Sequence, residues 1–269
     1  MHKPLALATA LTLCAATLHA HEFWVEPLSY QVQLGDEVRL DLRVGQMLQG
    51  RSYPYLSHKF ARYELTDETG VRALSGNEGD LPSVVYKASV PGLHVVAYHA
   101  LPERLTYDDF ESFVAFVEEE GLANIIARHH ERGLPETGFT EAYSRNAKAL
   151  VQVGPMIDEQ TDRVTGLPFE LVALENPYSK RDKLSVRLLW QGVKVPGAQV
   201  ALFHRIASGE VVRSTYRTDL DGVVSIPLMS GGTYLLSAVH LEERSAESGE
   251  VWHSTWASLA FGRSEGSKP

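Results

Sequence analysis

Cysteine is almost absent from this sequence of 269 residues: Cys14 is the only one. It falls in the segment expected to be removed on export, so the mature chain has no disulfide, thiolate metal site or thiol nucleophile. Long apolar runs are also lacking. The run from Leu5 to Ala16 is too short to span a bilayer, and nothing after it is long and apolar enough for a membrane helix. Positive charge is scarce, with 25 Lys and Arg against 34 Asp and Glu and a formal net charge of −9. No basic cluster marks a nucleic-acid or anionic membrane partner, and the acidity reads first as solubility. The catalytic signatures are missing as well. There is no Gly-x-Ser-x-Gly elbow, no phosphate-binding glycine loop and no His-Glu-x-x-His helix. Carboxylates are plentiful, but no spacing singles out an acid/base pair, so the expectation is a protein that is not an enzyme.

What is present begins with a leader. Lys3 supplies the positive start, Leu5 to Ala16 the apolar stretch, and Ala20 a small residue before a signal-peptidase cut. A cut after Ala16 leaves almost no polar spacer, and Leu13 before Cys14 argues against a lipid anchor. The expectation is a periplasmic protein whose mature chain starts at His21. At about 249 residues it is long enough to hold itself together by core packing alone.

Three blocks follow. From 22 to about 100, short strands alternate with turns: Val38, Leu40, Leu42 and Val44 keep the period of a half-buried strand. Asp67–Gly70 and Pro91-Gly92 read as hairpin turns. Between about 105 and 133 the period turns helical. Thr106 and Asp109 form a candidate capping box, Phe110, Phe113, Val114 and Val117 mark one face, and Gly121 interrupts. Tyr143–Val153 is ambiguous and is read as a strand returning to the first sheet. Residues 155–165 look like a link, after which seven strands are expected between Phe169 and Phe261. The run Thr218–Gly222 and then Gly231–Leu235 resembles transthyretin-like and carboxypeptidase-regulatory modules. The expected architecture is mainly β. Two immunoglobulin-like or transthyretin-like sandwiches would span 21–154 and 166–262, the first carrying the helical insertion, with a tail at 263–269.

The histidines are the informative set, because they suit transition metals and little else in the sequence does. If the cut follows Ala20, His21 carries a free amine beside its ring. Amine and Nδ1 can then chelate one ion, a nitrogen donor set suited to Cu(II) or Ni(II). His240 and His253 are the expected partners, at facing ends of a strand pair, with His99 a minor one. Glu22 and Glu26 are four apart on a strand and point the same way. Either can reach a cation near His21, although a salt bridge to arginine is the commoner fate of such a residue. His129 and His130 diverge on a helix and are read as solvated or as caps near its end. Trp24 and Trp256 are expected to pack in a core or between domains.

The run His21-Glu22-Phe23-Trp24-Val25-Glu26-Pro27 resembles the start of the domain-of-unknown-function 4198 family of exported bacterial proteins. Further matching runs include Gly45-Gln46, Leu105-Thr106-Tyr107, Glu119-Glu120-Gly121-Leu122, Gly133–Gly138 and Tyr143–Leu150. Others are Glu170–Pro177, Ala238-Val239-His240 and Trp252–Leu259. That family is often labelled a nickel- or cobalt-uptake periplasmic component. The resemblance implies metal binding and delivery, with Ni, Co or Cu as the ion and a metal-uptake transporter or outer-membrane receptor as partner. It places histidine at His21 and His240, but not reliably at His253. The alternative expectation is a non-metal interaction or carrier module that docks an outer-membrane or transporter partner. A copper oxygenase built on His21 stands third.

Overall fold

The computed structural model describes residues 22–157 and 159–264, so the expected leader and His21 lie outside it. The first block forms nine strands: β1 (Glu22–Pro27), β2 (Gln31–Val32), β3 (Glu37–Gln46), β4 (Gln49–Tyr53), β5 (Phe60–Asp67), β6 (Gly70–Ala73), β7 (Val84–Lys87), β8 (Gly92–Ala100) and β9 (Glu103–Tyr107). Two helices, α1 (Phe110–Glu119) and α2 (Ile125–Glu131), lead to the long strand β10 (Phe139–Val153). Then come β11 (Phe169–Ala173), β12 (Lys183–Trp190), β13 (Val193–Lys194), β14 (Gln199–Arg205), β15 (Val211–Arg217), β16 (Val223–Pro227), β17 (Gly232–Glu243) and β18 (Trp252–Arg263). The protein is mainly β, and all seven strands expected after residue 169 are present.

The strands form three layers. The central sheet runs β15-β14-β17-β18-β10-β8-β5-β6, with β2 and β9 also paired to β10. One outer sheet holds β1, β3, β4 and β7, and the other holds β11, β12, β13 and β16. Successive side chains of a strand point to opposite faces, and the central sheet uses both. Val96, Tyr98, Ala147, Ala149, Phe203 and Leu235 join the core under the first outer sheet. Their neighbours Val95, Leu150, Leu202 and Leu236 join the core under the second.

This layering corrects the expected division into two separate sandwiches. There are two sandwich interfaces, but they share one sheet, because β10 pairs antiparallel with β8 of the first block and parallel with β18 of the third. Residues 155–165 cross between layers rather than link two bodies. Lys148 of β10 is buried and bonds Asp162 at 2.8 Å and Glu170 at 3.0 Å. Glu170 in turn accepts from the backbone of Thr165 and Gly166, and Asp162 from Ala173 and Arg163.

The helical segment is also displaced from expectation. Thr106 lies in β9, and Asp109 alone caps α1 by accepting from Ser112 N at 2.7 Å. Both helices pack on third-block strands: Phe113, Phe116 and Val117 bury against Val239, Trp252 and Trp256.

Candidate functional site

The face of β1 that carries Glu22, Trp24 and Glu26 is held close to β14 and β15 of the central sheet. Glu26 takes the arginines: Arg43 Nε lies 3.1 Å and Arg205 Nη1 3.4 Å from its carboxylate. Trp24 is fully buried in the same core as Phe203. Glu22, at the mouth of this face, has no such partner. It is 6 % exposed, and its Oε2 is buried without a hydrogen bond.

Across from Glu22 stands the C-terminal end of α1. Glu119 offers its carbonyl to Gln199 Nε2 at 2.7 Å and to Arg213 Nη2 at 3.2 Å, which fastens the helix end to β14 and β15. Glu120 follows as the helix cap and is 9 % exposed. Gly121 then leaves the helix at φ +63°, a left-handed turn that suits glycine. Burial pushes the Glu22 carboxyl up to about 7, with the charge of Glu119 adding and that of Arg213 opposing. Burial and then the charge of Glu22 push Glu120 up to about 8. Arg213 is the one nearby cation among the charges that act on both. Its Nε is buried without a partner, and its guanidinium stacks over Phe203. Two desolvated carboxyls beside a single guanidinium favour taking up a proton or a cation.

The predicted histidines go elsewhere. His240 on β17 lies 4.3 Å, ring to ring, from Trp190 and 6.0 Å from Phe169. That is the second outer sheet's side of the central sheet, opposite to Glu22. His253 on β18 pairs in register with Glu242 and approaches Ser144 Oγ through Nε2 at 3.2 Å. Because His240 pairs with Thr255, His253 is its diagonal neighbour on the same face. His99, by alternation with Leu93 and Val95, also points to that side, beside Arg62. Burial lowers the basicity of all three rings, so they are neutral at physiological pH. Among the described residues, no three of His, Cys, Asp and Glu are arranged to hold a metal.

His129 differs from its reading as solvated. Trp252 Nε1 donates to its Nδ1 at 3.1 Å and its Nε2 meets Pro135 O at 2.9 Å, which fixes one neutral tautomer inside the third core. Glu120 and Arg213 were missed by sequence reasoning. A signal was available, since Glu118-Glu119-Glu120 puts negative charge at a helix C-terminus, where the dipole disfavours it.

The donor set around Glu22 fits a divalent transition ion in one respect: an orphaned carboxylate oxygen lies one residue after the expected terminal amine and imidazole. Nitrogen donors joined by carboxylate suit Ni(II), Co(II) or Cu(II) without excluding Zn(II).

Fold and site together define a layered, mainly β protein with a buried acidic pair where its first strand begins. The chain belongs to the family described as Domain of unknown function (DUF4198), which matches residues 18–242. No curated protein matches it. Among solved structures it is similar to the D0-D1 domain of intimin, at 13% identity and a TM-score of 0.23, over 89% of this chain and 97% of that one. A tetra-tandem repeat from the extending region of a large adhesion protein is 14% identical over 91% of this chain and 49% of its own, with a TM-score of 0.22. Salmonella alpha-2-macroglobulin reacted with methylamine is 13% identical over 90% and 15%, also with a TM-score of 0.22. Likeness at this level says nothing about what the chain binds.

Proposed function

We propose that this is an exported, periplasmic protein that binds a divalent transition metal, Ni(II) or Co(II) first and Cu(II) next, and delivers it to an uptake partner. The ion would sit at the amino-terminal end of β1, held by the amine and imidazole of His21 and by Glu22, with Glu120 closing the site from the end of α1. One observation supports this above the rest: Glu22 keeps Oε2 buried and unbonded, directly after the residue expected to carry the terminal amine. An uncompensated buried carboxylate is costly, and a bound cation removes that cost. The chemistry is binding, not catalysis. His240 and His253 would form a separate imidazole pair on the opposite face, with His99 further along it. The same proposal reads residues 166–262 as an immunoglobulin-like half built on the shared sheet.

Calorimetric titration of protein beginning at His21 with Ni(II), Co(II), Cu(II) and Zn(II) tests this. One equivalent should bind, and Glu22→Gln, or one extra residue before His21, should weaken binding about tenfold or more. No binding by any of the four ions sinks the proposal. Weakening by His240→Ala but not by Glu22→Gln moves the site to the other face.

A further inference from the structure

A second concave site lies at the other end of β1, where the first outer sheet meets the end of the central sheet. This cleft of about 490 Å³ is lined by residues 26–31, Asp41, Arg205, Gly232, Thr233 and residues 262–264. Its volume falls in the range of small-molecule sites, about 300–1,000 Å³. Charges of opposite sign enter it from different layers. Glu26 and Asp41 are register partners on β1 and β3 of the outer sheet. Arg205 belongs to the central sheet, in one row with Thr233 and Gly262.

Tyr30 forms part of the lining. Its ring lies on Gly262, where a Cβ would collide with it. Its hydroxyl is buried without a hydrogen bond, although the residue lines the cleft and has Glu26, Tyr178 and Arg205 as its charged or titratable neighbours. Burial keeps that hydroxyl protonated, so it can donate. Arg205 and Glu26 are in ionic contact at 3.4 Å, longer than the ~2.7–2.9 Å of a strong charge-assisted bond. Arg205 also donates to Leu48 O, and Arg263 donates to the carbonyls of Ser179 and Arg181. Glu26 and Arg205 therefore both retain bonding capacity toward the cleft.

We propose that this cleft binds a free α-amino acid as its zwitterion, the ammonium directed to Glu26 and Asp41 and the carboxylate to Arg205 and the Tyr30 hydroxyl. A simple anion there meets two carboxylates, and a simple cation meets two guanidiniums. Either pays like-charge repulsion in a partly desolvated cleft. A molecule carrying both charges matches both walls and gives the Tyr30 hydroxyl the acceptor it lacks. The site needs no bound metal and is separate from the Glu22 end of β1.

The test is calorimetric titration of the mature protein with each of the twenty L-amino acids, using acetate and methylammonium as single-charge controls. At least one amino acid should bind, with both controls about tenfold weaker or more. Tyr30→Phe removes only an unpartnered hydroxyl, so it should fold with an equal or higher Tm and lose about tenfold in affinity. Arg205→Gln should lose at least as much. The proposal is overturned if no amino acid binds at millimolar concentration, if acetate or methylammonium binds as tightly, or if Tyr30→Phe leaves affinity unchanged.

Discussion

Lys148 and Asp162 form a buried ion pair at 2.8 Å, each no more than 1 % exposed at the side chain, and this pair pins the 155–165 segment to the middle strand of the central sheet. Glu170 completes the cluster from β11. All three groups are hydrogen-bonded, which is the condition for burying charge without a large net cost.

Lys148→Met should therefore be strongly destabilising, because it leaves Asp162 and Glu170 buried without their cation. Breaking such a pair costs about 3–5 kcal/mol. Urea denaturation reads the loss. Trypsin reports on the same contact: cleavage after Arg163 should be slow in the wild type and fast in the variant. Rapid wild-type cleavage there would restore the view of 155–165 as a free link.

Stability should decline as pH rises from about 6 to 8. Glu22 and Glu120 titrate in the folded protein near 7 and 8 against an ordinary value of 4.5. Groups raised on folding give stability that is full below their unfolded value and lost as pH rises through the folded one. The double variant Glu22→Gln, Glu120→Gln should flatten the decline, as measured by Tm in buffers across that span. An unchanged slope would show that the two carboxyls are more hydrated than their burial implies.

The His129–Trp252 bond has the opposite pH sign. Burial lowers the pKa of His129. Its contribution is therefore present above the unfolded value, ~6.5, and is lost as pH falls below it. At neutral pH, His129→Ala should cost about 1–3 kcal/mol or more, since it leaves the Trp252 N–H buried without an acceptor. Near-ultraviolet circular dichroism of the tryptophans should change with it. His130→Ala, at a half-exposed position, should alter neither signal.

His240 and His253 give a separate expectation. As neutral, diagonal imidazoles on one face they can capture an added ion at high concentration, whatever happens at Glu22. Paramagnetic broadening of histidine proton resonances by Cu(II) should reach both rings together and should disappear in the double alanine variant. Broadening of only one ring would show that they do not share an ion.

Much of the strand pattern was legible because one-sided burial leaves an alternating trace, as in Val38, Leu40 and Leu42 of β3. The strands from β11 to β18 were readable for the same reason, with turn residues marking their ends. β10 was ambiguous for a physical reason. Both of its faces are covered, so Ala147, Lys148, Ala149, Leu150 and Val151 are all buried and no alternation remains. That one strand decides the architecture, because it joins the two blocks into a single sheet.

The sequence by itself determined the β class, the family, the cysteine-free character of the expected mature chain and the helical interruption before residue 133. It also marked Glu22 and Glu26 as pointing one way, because the two-residue repeat of a strand is local geometry. Only the tertiary structure decided their different fates. Glu26 meets Arg43 and Arg205 through a crossing of layers, while Glu22 faces Glu120, nearly a hundred residues away in the chain, with one guanidinium between them. The same holds for His240, whose strand was readable but whose face was not. Which side of a sheet a residue takes depends on the register with its neighbours, and register is fixed by long-range packing.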